Sequence, residues 1–156
     1  MADSTQSQNV FACNPLATEL AWAAGFFDGE GNCRLRVDKQ RNERRSRIYG
    51  TLVVQIGQTD RDVLDRFHKA VGVGSVCGPY TKTHTKGRPP TIYFAFHTAG
   101  RKAVAAFGLI RPYLSRVKRE QGDVAIAQYE EFLQRPRLGN GHLRKKELVE
   151  LVKIAR

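Results

Sequence analysis

Residues 15–37, PLATELAWAAGFFDGEGNCRLRV, constrain the fold more than any other stretch, because a helical pattern gives way to a strand pattern within a few residues. Pro15 suits the first position of a helix, where its fixed φ and missing N–H cost least. Gly29 is predicted to stop that helix, which would then cover residues 15–28. After Gly31 polar and apolar side chains alternate, which is typical of a strand with one face on the core. These two patterns in succession predict a mixed fold.

The remaining patterns complete an order of helix, strand, strand, helix, strand, strand, helix, helix. Thr59 and Asp62 form a capping-box-like start for the second helix, and Pro79 marks an edge or a bulge in the third strand. Basic loops are predicted over residues 39–47 and 83–89. This order predicts an α+β fold with an antiparallel sheet whose inner face is covered by helices. Strands are predicted over residues 32–38, 48–58, 75–82 and 90–98, and helices over 59–71, 98–107 and 116–133.

Positive charge is concentrated on the predicted outer face of the sheet and on its hairpin tips. The chain has 26 Lys and Arg against 15 Asp and Glu, a net charge of +11 that attracts polyanions. A twisted basic ribbon fits a DNA major groove, with phosphates bound at the tips and base edges read by the face. The alternative is a merely solvated sheet face. The residues predicted to contact DNA are Arg34, Arg36, Arg41, Arg44, Arg45, Arg47, Thr51, Gln55, Lys82, Lys86, Arg88 and His97.

Cysteine use and hydropathy exclude several other classes of protein. Cys13, Cys33 and Cys77 are widely separated, which favours neither a disulfide framework nor a zinc site. The polar start of the chain lacks the features of a signal or transit peptide, and no run of about 18 apolar residues predicts a membrane span. We therefore expect an intracellular protein that is not secreted and has no membrane partner. It would work in a bacterial or phage-infected cytoplasm, or in an organelle.

The nonapeptide AAGFFDGEG, residues 23–31, resembles the signature of the LAGLIDADG homing endonucleases. It matches the family consensus at Ala24, Gly25, Asp28 and Gly31. Three further segments are similar to the family: VQIGQT after the second strand, VGVGSV before the third, and IRPYLSRVKREQ near the last helix. Together these matches extend the resemblance over roughly residues 15–133.

The resemblance implies an αββαββα endonuclease-like fold, with an antiparallel saddle-shaped sheet that carries helices on one face. It implies a site-specific endonuclease, of the kind encoded in introns, that hydrolyses double-stranded DNA with Mg²⁺; Mn²⁺ or Ca²⁺ would replace Mg²⁺ for binding. Because the chain has one motif, it resembles the homodimeric members, which bind long pseudo-palindromic sites. The residues matched to family roles are Glu30, Gln58 and Lys118 as catalytic, Glu30 and the Gly29 carbonyl as metal ligands, and Ala21, Gly25 and Asp28 at the dimer interface.

Several of these residues also have a purely structural interpretation. Gln58 could cap the helix that follows it, and Lys118 could be one more exposed lysine. A carboxylate at a helix C-terminus faces an unfavourable dipole, so we expect Asp28 to have a partner, for example backbone N–H groups of the opposing subunit. Glu30 stands where the consensus has Asp, one methylene shorter.

A second class of function uses the same fold without cleavage. The chain could be a binding module, either an intron RNA maturase or a DNA-binding regulator, and RNA would then be a partner. Retention of an acid at Glu30 argues against it, because a pure binder gains from a neutral or basic residue that faces phosphate. A weaker third interpretation is a ribosome-associated or general RNA-binding protein. The predicted organisation is a flexible segment 1–14, a cleavage domain 15–133 and a basic helical extension 134–156.

Overall fold

The computed structural model describes residues 15–42, 45–84 and 89–134, and their elements follow the predicted order. They are α1 (Pro15–Glu30), β1 (Gly31–Asn42), β2 (Arg45–Gln58), α2 (Arg61–Val71), β3 (Ser75–Lys82), β4 (Thr91–Ala99), α3 (Arg101–Ile110), a 3₁₀-helix (Arg111–Tyr113) and α4 (Arg116–Gln134). The α+β fold is confirmed. The segment 1–14 and residues 135–156 lie outside the described part of the chain, as do Arg44, Lys86 and Arg88.

The four strands form one antiparallel sheet in the order β1-β2-β4-β3. Its two faces differ because side chains alternate along each strand. Leu35 lies opposite Leu52 on the inner face, and both are buried under the helices. Gln55 lies opposite His97 on the outer face, and both side chains are partly exposed. Along β2, Leu52, Val54 and Ile56 are buried on the inner face, and Val53 is buried as well although it lies on the outer face.

The hairpin of β1 and β2 extends further than the sequence predicted. Residues 39–47 were expected to form a loop, but backbone pairing continues from Lys39↔Ile48 to Asn42↔Arg45. This prediction was wrong because residues 39–47 are all polar, so the sequence shows no alternation from which a strand could be predicted, whereas the backbone pairs across the hairpin. Arg41, Arg45 and Arg47 lie on this part of the hairpin.

Helix α1 ends two residues later than predicted, at Glu30. Gly29 does not stop the helix: its φ is not positive, and a Cβ built on it would meet nothing within 4 Å. Gly31, the first residue of β1, is the constrained position, because a Cβ there would overlap the ring of Phe27. The change from helix to strand therefore occurs where the Gly31 backbone packs closely against the Phe27 ring.

Two other helix starts also differ from the predictions. The N-cap of α2 is Asp60, not Thr59, and its side chain accepts a hydrogen bond of 2.9 Å from the backbone N–H of Asp62. Helix α3 begins at Arg101 rather than Thr98, because β4 continues pairing with β2 through Ala99. Sheet pairing thus overrides the local helical pattern there. The predicted end of α2 at Gly72 is confirmed by its left-handed φ of 68°.

An aromatic cluster fills the space between the helices and the sheet. Phe27, Phe67, Phe96 and Phe107 each have no exposed surface and come from α1, α2, β4 and α3. The rings of Phe67 and Phe96 are 4.9 Å apart in an edge-to-face arrangement, and Phe27 lies 6.3 Å from both Phe67 and Phe107. Such pairs add to the stabilisation from buried area and fix the C-terminal end of α1 against the sheet. No helix in the described ranges is both long enough and apolar enough to cross a membrane.

Candidate functional site

The candidate site lies where α1 meets β1, at the acids predicted from the sequence. Glu30 is the last residue of α1, and both it and Gly29 are exposed. The buried ring of Phe27 anchors the last turn of the helix from the other side. The packed core therefore holds the backbone, while the Glu30 carboxylate and the Gly29 residue face solvent.

Asp28 has its hydrogen-bond partner within its own chain. Its carboxylate accepts 2.9 Å from the backbone N–H of Ser115 and 3.0 Å from the Ser115 hydroxyl. The expected backbone N–H partner is therefore present, and it belongs to the same chain rather than to an opposing subunit. The N-terminus of α4 offers positive N–H groups, which offset the unfavourable dipole that Asp28 meets at the end of α1. Asp28 therefore fastens α1 to the start of α4.

Ser115 is a residue of this junction that the sequence interpretation missed. It immediately precedes α4, its carbonyl accepts from Arg119 N–H at 3.0 Å, and its hydroxyl lies 3.4 Å from the Lys118 backbone nitrogen. These are the contacts of a helix N-cap. A serine directly before a helical pattern is a recognisable N-cap signal, so the sequence did hold a sign of its role.

Lys118 reaches the same junction from the first turn of α4. Its ammonium donates a hydrogen bond of 2.5 Å to the carbonyl of Gly31 and lies 5.8 Å from the centre of the Phe27 ring. The side chain is half-buried, so the alternative of an ordinary exposed lysine does not describe it. The structure thus places the positive charge of Lys118 beside the backbone of Gly31, the residue that directly follows Glu30.

Gln58 lies at the same end of the sheet. Gly31 pairs with Ile56, so Gln58, two residues further along β2, lies level with the end of α1. Its side-chain oxygen accepts 3.0 Å from the backbone N–H of Thr59. Gln58 is therefore not the cap of α2, a role that Asp60 fills. The structure brings all three predicted catalytic residues to one end of the sheet.

The outer face of the sheet carries the predicted base-reading residues that the structure describes. Arg34 and Arg36 are exposed on β1, the edge strand, and Arg36 forms an ion pair of 2.8 Å with Asp38. The exposed Lys82 lies at the end of the opposite edge strand, β3. A surface with cations at both edges and hydrogen-bonding groups between them suits a polyanion with readable edges. The other predicted DNA-contacting residues whose side chains the structure describes on this face are Thr51, Gln55 and His97, all partly exposed.

One face of helix α1 is exposed in the part of the chain that the structure describes. Ala21 and Gly25 are exposed, whereas Leu20, Ala23 and Ala24 are buried against the core. A Cβ built on Gly25 would meet nothing within 4 Å. Small residues four apart give this face a flat surface that permits close approach of a second helix.

An ion pair stacked on an aromatic ring ties α1 to α2 away from this face. Arg66 donates hydrogen bonds of 2.9 and 3.0 Å to Glu19, and its guanidinium lies 3.8 Å from the centre of the Trp22 ring. The hydrogen bond from Arg66 lowers the pKa of Glu19 below its usual value. This pair orients α1 in the core and leaves its exposed face free of bulky groups.

The predicted metal ligands at the junction are oxygen atoms. The Glu30 carboxylate and the Gly29 carbonyl are hard donors of the kind that Mg²⁺ and Ca²⁺ prefer. Within residues 15–42, 45–84 and 89–134, no three His, Cys, Asp or Glu side chains converge on one point. A divalent cation held by these two oxygen donors would need further ligands from other groups.

Solved structures with a similar fold are homing endonucleases. I-CvuI in complex with the I-CreI target is 19% identical, over 76% of this chain and 70% of that one, with a TM-score of 0.57. The archaeal intron-encoded I-Vdi141I in complex with DNA is 20% identical over 89% and 80% of the two chains, with a TM-score of 0.59. I-TnaI is 22% identical over 87% and 84%, with a TM-score of 0.57.

These similarities concern the three-dimensional structure. No protein-family model matches the sequence, and no curated protein matches it either. At identities near one fifth, the similarity shows a shared fold. Chemical conclusions about this chain therefore have to come from its own residues.

Proposed function

We propose that this chain, which has the LAGLIDADG homing endonuclease fold, acts inside the cell as a site-specific endonuclease on double-stranded DNA. The observation that carries the proposal is the position of Glu30, an exposed acid at the end of a helix, next to a basic sheet face. A carboxylate in this position repels phosphate unless a cation lies between them. That combination is useful to a metal-dependent nuclease and unfavourable to a simple DNA-binding protein.

Mg²⁺ is the cation that we propose for the site. The Glu30 carboxylate and the Gly29 carbonyl would hold it, together with the matching Glu30 of a second copy and phosphate oxygens. When bound, Mg²⁺ polarises the scissile phosphate and lowers the pKa of the attacking water. Structures of I-CvuI were solved in the presence of Mg or Ca, which supports a divalent cation.

The other two residues act on the groups around the phosphate. The Lys118 ammonium keeps two N–H donors beyond the one bound to Gly31, and these can stabilise negative charge that develops on phosphate. Gln58 has its side-chain oxygen bound to Thr59, which fixes the amide plane. The NH₂ group of that amide can then orient a water molecule.

A homodimer is the assembly that this arrangement favours. The exposed small residues of α1, Ala21 and Gly25, would meet their own copies across a two-fold axis. Each copy of Glu30 lies at the C-terminal end of this helix, so pairing of the helices brings two carboxylates close together. A two-fold axis also suits a pseudo-palindromic target, because each sheet would read one half-site.

The test of catalysis uses a duplex target selected by the wild-type protein from a randomised library. We expect cleavage with Mg²⁺, none with EDTA, and at least a roughly hundredfold slower rate for Glu30→Gln. Glu130→Gln is the matched control, since it neutralises an exposed acid on α4 about 18 Å along the helix axis from Lys118. Unimpaired cleavage by Glu30→Gln would overturn the catalytic assignment.

Sedimentation equilibrium tests the assembly separately. We expect twice the mass of one chain for the protein on DNA, and a mass of one chain would refute the homodimer. A selected duplex that is bound tightly but never cut with Mg²⁺ would instead point to the non-cleaving binding module, a regulator or a maturase. Preferential binding of structured RNA would separate the maturase from the regulator.

A further inference from the structure

Two tyrosines form a pair on the outer face of the sheet, at the edge opposite the arginines. Tyr80 on β3 lies directly across from Tyr93 on β4, with ring centres 5.5 Å apart and planes at 39°. Tyr80 is 44% exposed on this face, which is the face opposite the helices. An exposed aromatic pair on a polar face is typical of a recognition surface.

A β-bulge is what brings Tyr80 to this face. Cys77 pairs with Ala95 and Tyr80 pairs with Tyr93, so three steps along β3 correspond to two along β4. Without the extra residue, strict alternation would direct Tyr80 to the inner face, the opposite side from Cys77. Bulges commonly re-aim a side chain in this way.

Gly78 is the residue that permits the bulge. Its φ is 128°, in a region that L side chains rarely adopt, and a Cβ on it would lie 2.9 Å from the ring of Phe94. The irregularity is therefore built into the sequence at a specific glycine. Its main effect on the surface is the outward position of the Tyr80 ring.

The two edges of the outer face consequently differ in chemistry. β1 presents the exposed Arg34 and Arg36, whose guanidinium groups suit the two acceptors of guanine in the major groove. β3 and β4 present Tyr80 and Tyr93, whose rings offer apolar surface. The thymine C5-methyl is the one apolar group that unmodified base pairs display in the major groove.

We infer that Tyr80 and Tyr93 form a thymine-reading contact in each half-site. This inference rests on the proposed function, since it requires the sheet to lie in the major groove. The two rings would pack around the C5-methyl group and exclude water from it. G·C pairs would be disfavoured at this position because cytosine presents no methyl group to fill the space.

The experiment removes single methyl groups from DNA. In the target selected by the wild-type protein, each thymine is replaced in turn by uracil, which lacks only the C5-methyl group, and the dissociation constant is measured with Ca²⁺. We expect about fourfold weaker binding at the thymine under the tyrosine pair, the value of one buried methyl group. For Tyr80→Ala that particular uracil substitution should have no effect, and for Tyr93→Leu its effect should be clearly smaller than for the wild type, because leucine lacks the ring that packs on the methyl group.

Three control variants separate ring packing from other effects. Tyr80→Phe should retain the full sensitivity to uracil, because the ring and not the hydroxyl makes the contact. Ile92→Ala truncates a neighbouring side chain that is 58% exposed and points to the opposite face of the sheet from Tyr93. This variant should therefore also retain the sensitivity to uracil. Far-UV circular dichroism checks that each variant is folded, and Tyr93→Leu keeps apolar volume if Tyr80→Ala unfolds.

Each outcome bears on a different statement. Binding that is insensitive to uracil at every thymine, or equally sensitive in Tyr80→Ala and wild type, overturns the inference and leaves the proposed function intact. If the wild-type protein retains no duplex at all, the proposed function fails and the inference fails with it. Loss of sensitivity in Ile92→Ala would show a general effect on the sheet and would also overturn the thymine contact.

Discussion

Two glycines of the motif should respond to alanine in opposite directions. Gly29 is helical and exposed, and a Cβ there meets nothing within 4 Å, so Gly29→Ala should stabilise the fold by up to about 1 kcal/mol. Gly31 lies against Phe27, where an added Cβ would overlap the ring. We expect Gly31→Ala to destabilise the fold by about 1–3 kcal/mol, the usual cost of overpacking.

The Phe27 ring cannot readily move out of the way. It has no exposed surface, and the rings of Phe67 and Phe107 each lie 6.3 Å from it. A shift of Phe27 would therefore disturb the whole aromatic cluster. The two alanine variants should differ by roughly 1–4 kcal/mol in the free energy of unfolding, or by roughly 3–15 °C in Tm.

Urea denaturation provides the measurement, at one fixed protein concentration because association also stabilises the fold. Trp22 is the only tryptophan of the chain and stacks on Phe26 in α1, so its fluorescence reports on this helix. Phe27→Leu should reduce the cost of Gly31→Ala in a double-mutant cycle, since it removes the ring that is overlapped. Equal stability of the two glycine variants would refute the packing argument.

Three further predictions follow from individual contacts. Asp28→Ala removes both hydrogen bonds to Ser115 and should cost about 1–3 kcal/mol of stability, with a smaller loss for Asp28→Asn; unchanged urea midpoints would contradict it. Gly25→Leu should fold normally but sediment as one chain, because its side chain blocks helix pairing; a persistent dimer would exclude this face as the interface. Burial raises the pKa of Cys33 to about 12, so at pH 8 the folded protein should be alkylated at the exposed Cys77 and not at Cys33. Rapid alkylation of Cys33 at pH 8 would refute its burial. Because the pKa of Cys33 is higher in the folded state than in the unfolded state, the contribution of this thiol to stability is complete below about pH 9 and is lost as the pH rises towards 12.

The sequence was informative wherever the signal was local. Strand β3 was predicted with its observed bounds, Ser75–Lys82, because apolar and turn residues mark both of its ends. Pro79 was correctly interpreted as the sign of an edge strand or bulge, and both occur. The end of α2 at Gly72 was equally clear, since a glycine there can adopt the left-handed conformation of a C-cap.

Errors arose where another element decides the local structure. Thr98 begins a helical pattern, yet the backbone there pairs with β2, because completing the hydrogen bonds of a buried strand outweighs a weak helical preference. Gly29 was expected to end α1, but no steric demand exists at that position. The segment beyond Asp38 was predicted as a loop because its polar sequence shows no alternation, yet its backbone pairs across the hairpin.

The sequence by itself determined the kind and order of the elements, the two faces of the strands and the acidic motif at the end of an apolar helix. Those properties depend on neighbours along the chain, through backbone preferences and side-chain periodicity. The tertiary structure alone decided that Asp28 binds Ser115 and that Lys118 binds Gly31, in each case across 87 residues of sequence. Contacts of this range depend on how the aromatic core sets α4 against α1, and packing between distant elements leaves no period in the sequence.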